Sequence, residues 1–275
     1  MKSGAPQRLG LVGRGRAART LEPRLARAGL APTWWWSRGD AADAASLPGV
    51  DLVLLAVPDA AIADAARALA ARPSAPSETW LHLAGSQPAA LARVDATRPQ
   101  AAGLFHPLAA LPGAGAAADL LVGATCGLAG DRGAVDAGRS LAAALGMRPL
   151  TLDAATQPLY HAAGVTMAGH LTALASQALT MLAAAGMAPD DARRALLGLA
   201  RGALANLEAS PPEDAITGPI TRGDVATIRE HLARLDALDA HLAATYRRLG
   251  LTALELSRPR LPAATAASLE ALLRP

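Results

Sequence analysis

Three groups of residues in this chain have types and spacings suited to chemistry. The first is Gly13-Arg14-Gly15-Arg16-Ala17-Ala18, directly after the apolar run Leu9-Gly10-Leu11-Val12. Small residues at the first, third and sixth places let a chain turn tightly out of a strand, bring backbone close to a pyrophosphate, and pack the next helix against the sheet. The N-terminus of the helix that follows would present free N–H groups and a positive dipole end to phosphates. An ordinary strand-to-helix turn is the plainer alternative. The strand before the glycines and the helical pattern after them favour Gly13, Gly15, Arg16 and Ala18 as dinucleotide-binding residues.

The next strand end refines this reading. A site for NAD places Asp or Glu about twenty residues on, to hold the ribose 2′-hydroxyl, whereas an Arg there accommodates a 2′-phosphate. Here the run Trp34-Trp35-Trp36 ends in Ser37-Arg38, with no acid at the tip. Ser37 can donate to a phosphate oxygen, and the Arg38 guanidinium can pair with it. NADP(H) is therefore expected over NAD(H), although Asp40 nearby could accept from a ribose. Val57 and Pro58, at the end of the third strand, complete the expected cofactor contacts.

The remaining groups suit proton transfer and anion binding. His106 closes a short apolar run before Pro107, and His161 is expected to open a long uncharged helix, where the dipole would keep an imidazole neutral and able to donate. Each could instead be structural, His106 capping a strand and His161 bonded to backbone in a core. In Thr217-Gly218-Pro219-Ile220-Thr221-Arg222-Gly223-Asp224, Asp224 is placed to cap the next helix. Thr217 could present its hydroxyl to a substrate, and Arg222 could grip a carboxylate as a two-pronged fork; a well-capped helix start with Arg222 in solvent would read the same way. No histidines stand at zinc spacing with a third ligand, so no metal is expected.

The elements that must position these residues follow from periodicity. Apolar runs at Leu9, Trp34, residues 51–57, 79–83, 103–106, 124–129 and 149–152 read as strands, with helical segments at 60–71 and 135–145 between them. Continuous apolar runs suit parallel strands buried on both faces. The expected fold is a doubly wound, mostly parallel α/β sheet over residues 1–153, followed by an all-helical region over 154–275 that binds substrate and dimerises. Ligands of open α/β sheets bind beyond the carboxyl ends of strands, so Val57-Pro58-Asp59, Gly85-Ser86 and His106-Pro107 should line one cleft facing the helical region.

Composition narrows the function. The 275 residues carry a net charge of +3, almost all of the basic side chains being arginine and Lys2 the sole lysine. The arginines are interleaved with acids, with no basic run or aromatic platform, so nucleic acid is not an expected partner. Schiff-base and lysine-assisted hydride chemistry have no residue to use. Cys126 is alone, which excludes an internal disulfide, and reads as a small buried hydrophobe. No leader is visible at the start, so a cytoplasmic protein is expected. Residues 159–187 hold no charge and are long enough to span a bilayer. Their alanine content, His161, His170 and Gln177, and the lack of basic flanks favour a buried helix, covered in a homodimer, and no membrane contact.

Taken in order, Gly13-x-Gly15, Ser37-Arg38, Ala56-Val57-Pro58-Asp59, His82-Leu83-x-Gly85, His106-Pro107-Leu108, Tyr160-His161-Ala162-Ala163 and Thr217-Gly218-Pro219-x-x-Arg222-Gly223-Asp224 resemble the Rossmann-like oxidoreductases whose C-terminal half is the domain of unknown function 2520. That family in turn resembles the pyrroline carboxylate reductases and the 6-phosphogluconate dehydrogenase-like superfamily. The resemblance implies NADP(H) binding and a helical dimerisation region. It also implies that the loop over residues 214–224 meets a substrate carboxylate. The chain departs from the pattern at His170, where the family's Asn is expected, and lacks the lysine of hydroxyacid dehydrogenases. The resulting expectation is an NADP(H)-dependent oxidoreductase for a small carboxylate-bearing ketone or imine, held between His161 and the Thr217–Arg222 loop. A non-catalytic NADP(H)-binding sensor is the alternative.

Overall fold

The computed structural model describes residues 8–37, 47–71, 79–94, 100–113 and 119–274. These form two compact units, 1–170 and 171–275. The first holds a seven-stranded sheet of order β2-β1-β3-β4-β5-β6-β7. Its strands are β1 (Leu9–Val12), β2 (Trp34–Trp36), β3 (Leu52–Leu55), β4 (Thr79–His82), β5 (Ala101–Pro107), β6 (Thr125–Gly130) and β7 (Arg148–Thr151). All neighbours run parallel except β5 and β6. The strand order reverses between β1 and β3, and such a reversal opens a crevice at the carboxyl ends of the strands.

Side-chain alternation explains why helices cover both faces. Leu9 and Leu11 of β1, Leu52 and Leu54 of β3, and Phe105 of β5 are buried with Leu21 and Leu25 of α1 (Arg16–Arg27) and Leu141 of α3 (Arg132–Ala144). Val12, Val53, Leu55 and Trp80 point the other way, onto Ile62, Ala66 and Leu69 of α2 (Ile62–Ala70). Gly10 is required by this packing, because a Cβ there would stand 2.1 Å from the Trp34 ring. Cys126 is fully buried in β6, where burial pushes its thiol far above the ordinary range.

The strands end at Thr151, close to the expected change of pattern near Asp153. The division in packing falls later, after His170. The reason is α4 (Thr156–Val165), whose Gln157 and Tyr160 side chains hydrogen-bond to the sheet's loops and strands. The expected helix over 159–187 is helical to Ala184 but not α-helical throughout. A π-helical turn, Thr166–His170, separates α4 from α5 (Leu171–Ala184). The Thr166 hydroxyl donates to the Ala162 carbonyl at 2.9 Å, and such back-bonding competes with the regular ladder.

The second unit continues through α6 (Pro189–Ala209), α7 (Pro212–Ala215), α8 (Val225–Leu238), α9 (Ala240–Ser257) and α10 (Ala263–Leu273). Its core gathers Ile220, Ile228, Leu232, Leu254, Leu269 and Leu273. Asp224 caps α8 by accepting from the Thr227 amide, and Asp239 caps α9 by accepting from the His241 and Leu242 amides. By contrast α5 buries none of its residues and α6 only Ala192. Among the described residues, no helix is long and apolar enough to cross a membrane.

Candidate functional site

The turn after β1 is built around one strained glycine and one unstrained one. Gly13 has a φ of 98°, and a Cβ there would lie 2.3 Å from the Ala56 carbonyl oxygen, so backbone geometry and packing both demand glycine. The Trp35 indole donates to the Gly13 carbonyl, and the Arg14 guanidinium lies 5.5 Å from the centre of the Trp35 ring. Gly15 is different. It caps α1 in an extended conformation that any residue adopts, and a Cβ there would meet nothing within 4 Å. Among the described residues, nothing requires a glycine at 15. The α1 start behind it has no side-chain cap and no acid in its first turn.

Beside this turn lies a cavity of about 520 Å³ whose lining includes Gly13, Ser37, Val57, Pro58 and Asp64. Four expected cofactor residues are thus brought together at the point where the strand order reverses. Arg16 is exposed in the first turn of α1, and Ala18 is fully buried where that helix meets the sheet. Arg38 lies outside the described residues.

A second cluster stands at the ends of β4 and β5. His106 is the next-to-last residue of β5, and its ring meets His161 edge to face, with centroids 5.6 Å apart. His161 does not open its helix as expected. The helix begins at Thr156, anchored by Asp153, whose carboxylate accepts from the Ala155 and Thr156 amides; these bonds hold the Asp153 carboxyl below the usual range. The His106 ring also meets Tyr160 edge-on at 5.7 Å. The Tyr160 hydroxyl donates to the His106 carbonyl at 2.9 Å and accepts from the Gly127 amide at 3.0 Å.

Electrostatics make His106 a neutral donor. Burial first, and then the neighbouring His161, push it down to about 4, against an opposing pull from Asp59. Its Nδ1 is buried without a hydrogen-bond partner. A buried N–H left unpaired costs more than a bare lone pair, so the proton belongs on Nε2. His82, fully buried, has its Nε2 3.1 Å from the Pro88 carbonyl, which can only accept; that places its proton on Nε2 as well. Ahead of these rings, the Ser86 hydroxyl donates to Asp59 at 2.7 Å.

In the helical unit, Thr217 is exposed at the rim of a cavity of about 310 Å³ whose lining includes Gln177, Ile220, Thr245 and Tyr246. Arg222 is exposed and does not line that cavity, so the structure does not bring Thr217 and Arg222 to one pocket there. Gly218 and Gly223 adopt positive φ and shape the loop as expected, and the Thr221 hydroxyl donates to the Gly218 carbonyl. Sequence reasoning placed Asp59 and Ser86 at strand ends without pairing them, and it missed Gln157. The available signal for Gln157 was its spacing, one helical turn before His161.

The sheet order, the glycine turn and the helical C-terminal region together define a Rossmann-like α/β protein. Residues 124–253 are similar to the family described as Domain of unknown function (DUF2520). No curated protein matches the chain. Among solved structures, BF3122 of Bacteroides fragilis, a candidate NADP oxidoreductase, superposes with a TM-score of 0.71 at 20% identity, covering 92% of this chain and 98% of that one. Protein TM1727 of Thermotoga maritima gives 0.70 at 18% identity, over 92% and 99%. The pyrroline carboxylate reductase of Plasmodium falciparum, solved with NADP bound, gives 0.58 at 11% identity, over 97% and 98%. At these identities the likeness establishes the fold.

Proposed function

We propose that this protein is an NADP(H)-dependent oxidoreductase acting on a small carboxylate-bearing ketone or imine. The observation that carries the reading is Gly15, whose missing side chain faces open space among the described residues, at the uncapped start of α1 beside the cavity of Gly13, Ser37, Val57 and Pro58. The Gly15 backbone and the α1 N–H groups would hold the pyrophosphate, and Ser37 with Arg38 the 2′-phosphate. When bound, the cofactor supplies the hydride chemistry. The chain's own part is to orient the substrate and polarise it. The neutral His106 donates its Nε2–H to the substrate atom that gains negative charge, with His161 packed edge-on beside it; a donor of this kind remains a donor across the physiological range. Arg222 is assigned the carboxylate, in keeping with the pyrroline carboxylate named for the Plasmodium neighbour. The protein is further proposed to act as a homodimer through α5 and α6.

The test is a fluorescence titration with NADPH, followed by its consumption in the presence of small 2-oxo acids and cyclic imines. Binding with steady consumption supports the proposal. Binding without consumption of any substrate would favour the sensor reading, and no binding would overturn both.

A further inference from the structure

The α4 helix does more than carry His161, and one of its residues has no role in the reading so far. Gln157 is buried, and its side-chain amide donates to two backbone carbonyls of the loop after β4: Gly85 at 3.0 Å and Gln87 at 2.7 Å. An amide has two N–H donors, and both are used on one loop. Gln157 and His161 are four residues apart, so they share a face of α4. The loop they enclose is wedged against the imidazoles. A Cβ added to Gly85 would stand 2.7 Å from Cδ2 and Nε2 of His106 and 2.8 Å from Cδ2 of His161. One residue on, Ser86 holds Asp59. Tyr160 independently ties α4 to the His106 backbone, so the helix is fixed to β5 whether or not the loop is.

We propose that Gln157 is a positioning residue: by clamping the Gly85–Gln87 backbone to α4, it sets the glycine edge between His106 and His161 and so fixes the ring that polarises the substrate. Removing its donors leaves two carbonyls competing for water. The loop then hydrates and withdraws, and the rings lose the wall that keeps His106 dry. The groups that face His106 are Asp59 after β3, His82 on β4 and His161 on α4, and none of them is altered by the change; because Gln157→Glu adds a charge of its own, the neutral Gln157→Met decides. The inference rests on the proposed role of His106, but its consequences are read without turnover.

The experiment uses the full chain with labelled histidine, His106 being assigned by comparison with His106→Asn. Gln157→Glu keeps the shape of the side chain and abolishes donation while ionised; Gln157→Met removes it altogether. In both, the NMR titration of His106 should move up from about 4 toward its ordinary 6.5 by about one pH unit or more, about tenfold in proton affinity. NADPH affinity should stay within about twofold, because the cofactor cavity is lined by other elements. A folded variant whose His106 titration is unchanged overturns the proposal. So does a fall in melting temperature with no change at His106, which is all a merely structural glutamine would produce. If neither variant folds, Gln157→Asn, neutral and one methylene too short to reach both carbonyls, is read in the same way; an unmoved His106 there overturns the proposal equally. Failure of the wild type to consume NADPH would overturn the reductase reading while leaving this titration result standing.

Discussion

The rings of His106 and His161 meet edge to face at 5.6 Å, their planes 70° apart, one from the end of a strand and the other from the middle of a helix. The contact is close because Gly85 between them has no side chain and because Tyr160 ties the helix to the His106 carbonyl. A neutral imidazole held this way is a donor whose state does not change near neutrality, and it leaves a mark on stability.

That mark is a loss of stability in mild acid. Burial and His161 bring His106 to about 4, and burial lowers His82. Unfolded histidines titrate near 6.5. Between about 6.5 and about 4 the unfolded chain takes up protons that the folded chain refuses, so stability is intact above about 6.5, falls as the pH drops, and levels off near 4. His106→Asn should flatten this slope in urea titrations run across the window. An unchanged slope would show that His106 is not held neutral by the fold.

The two glycines of the first turn should fail in opposite ways. Gly13→Ala forces a Cβ into the Ala56 carbonyl at positive φ and should cost about 1–3 kcal/mol of stability in denaturant unfolding. Gly15→Val should unfold close to wild type and lose NADPH binding, since its side chain occupies only the space in front of the turn. Normal NADPH affinity in folded Gly15→Val would place the cofactor elsewhere.

Cofactor choice is assigned to Arg38. Losing a charge-assisted phosphate contact costs roughly 1.5–3 kcal/mol, or about tenfold to more than a hundredfold in affinity. Arg38→Ala should therefore weaken NADPH by that factor and leave NADH nearly unchanged in fluorescence titrations. Equal losses for both would remove the preference for the 2′-phosphate.

Once a substrate is found, the histidine cluster and Arg222 should separate in kinetics. His106→Asn and His161→Ala should lower kcat, since a positioned proton donor contributes about 10²–10⁴-fold. Arg222→Ala should mainly raise KM, because a carboxylate clamp acts in the ground state and transition state alike. Near-normal turnover by either histidine variant would take that residue out of the mechanism.

Assembly is the fifth expectation. Leu197 and Leu199 of α6 are 50% and 72% exposed, and Leu174 of α5 and Leu207 of α6 are also exposed, on helices that bury almost nothing within the chain. Exposed leucines on helices with so little burial of their own suit an interface. Sedimentation should show a dimer at micromolar concentration, and Leu199→Lys should shift it toward monomer. A wild-type chain that sediments as a well-folded monomer would contradict the homodimer.

The sequence by itself determined the sheet and its turn chemistry. Apolar runs marked the strands, most of them buried on both faces, β7 being an exposed exception at the sheet's edge, and the spacing of Gly13, Gly15 and Ala18 located the helix that follows β1. Asp224 was legible as a cap because capping is local, a side chain reaching an amide three residues on. The tertiary structure decided everything that depends on distant residues. The antiparallel turn of β6 against β5, the π-helical break after Val165, and the start of α4 five residues before His161 have no periodic signature. The pairing of His106 with His161, and the hold of Gln157 on the Gly85 loop across 72 residues of chain, arise only when a helix is laid across the ends of the strands. Spacing along a chain encodes which residues share a face of one element; which faces then meet is set by how the elements pack.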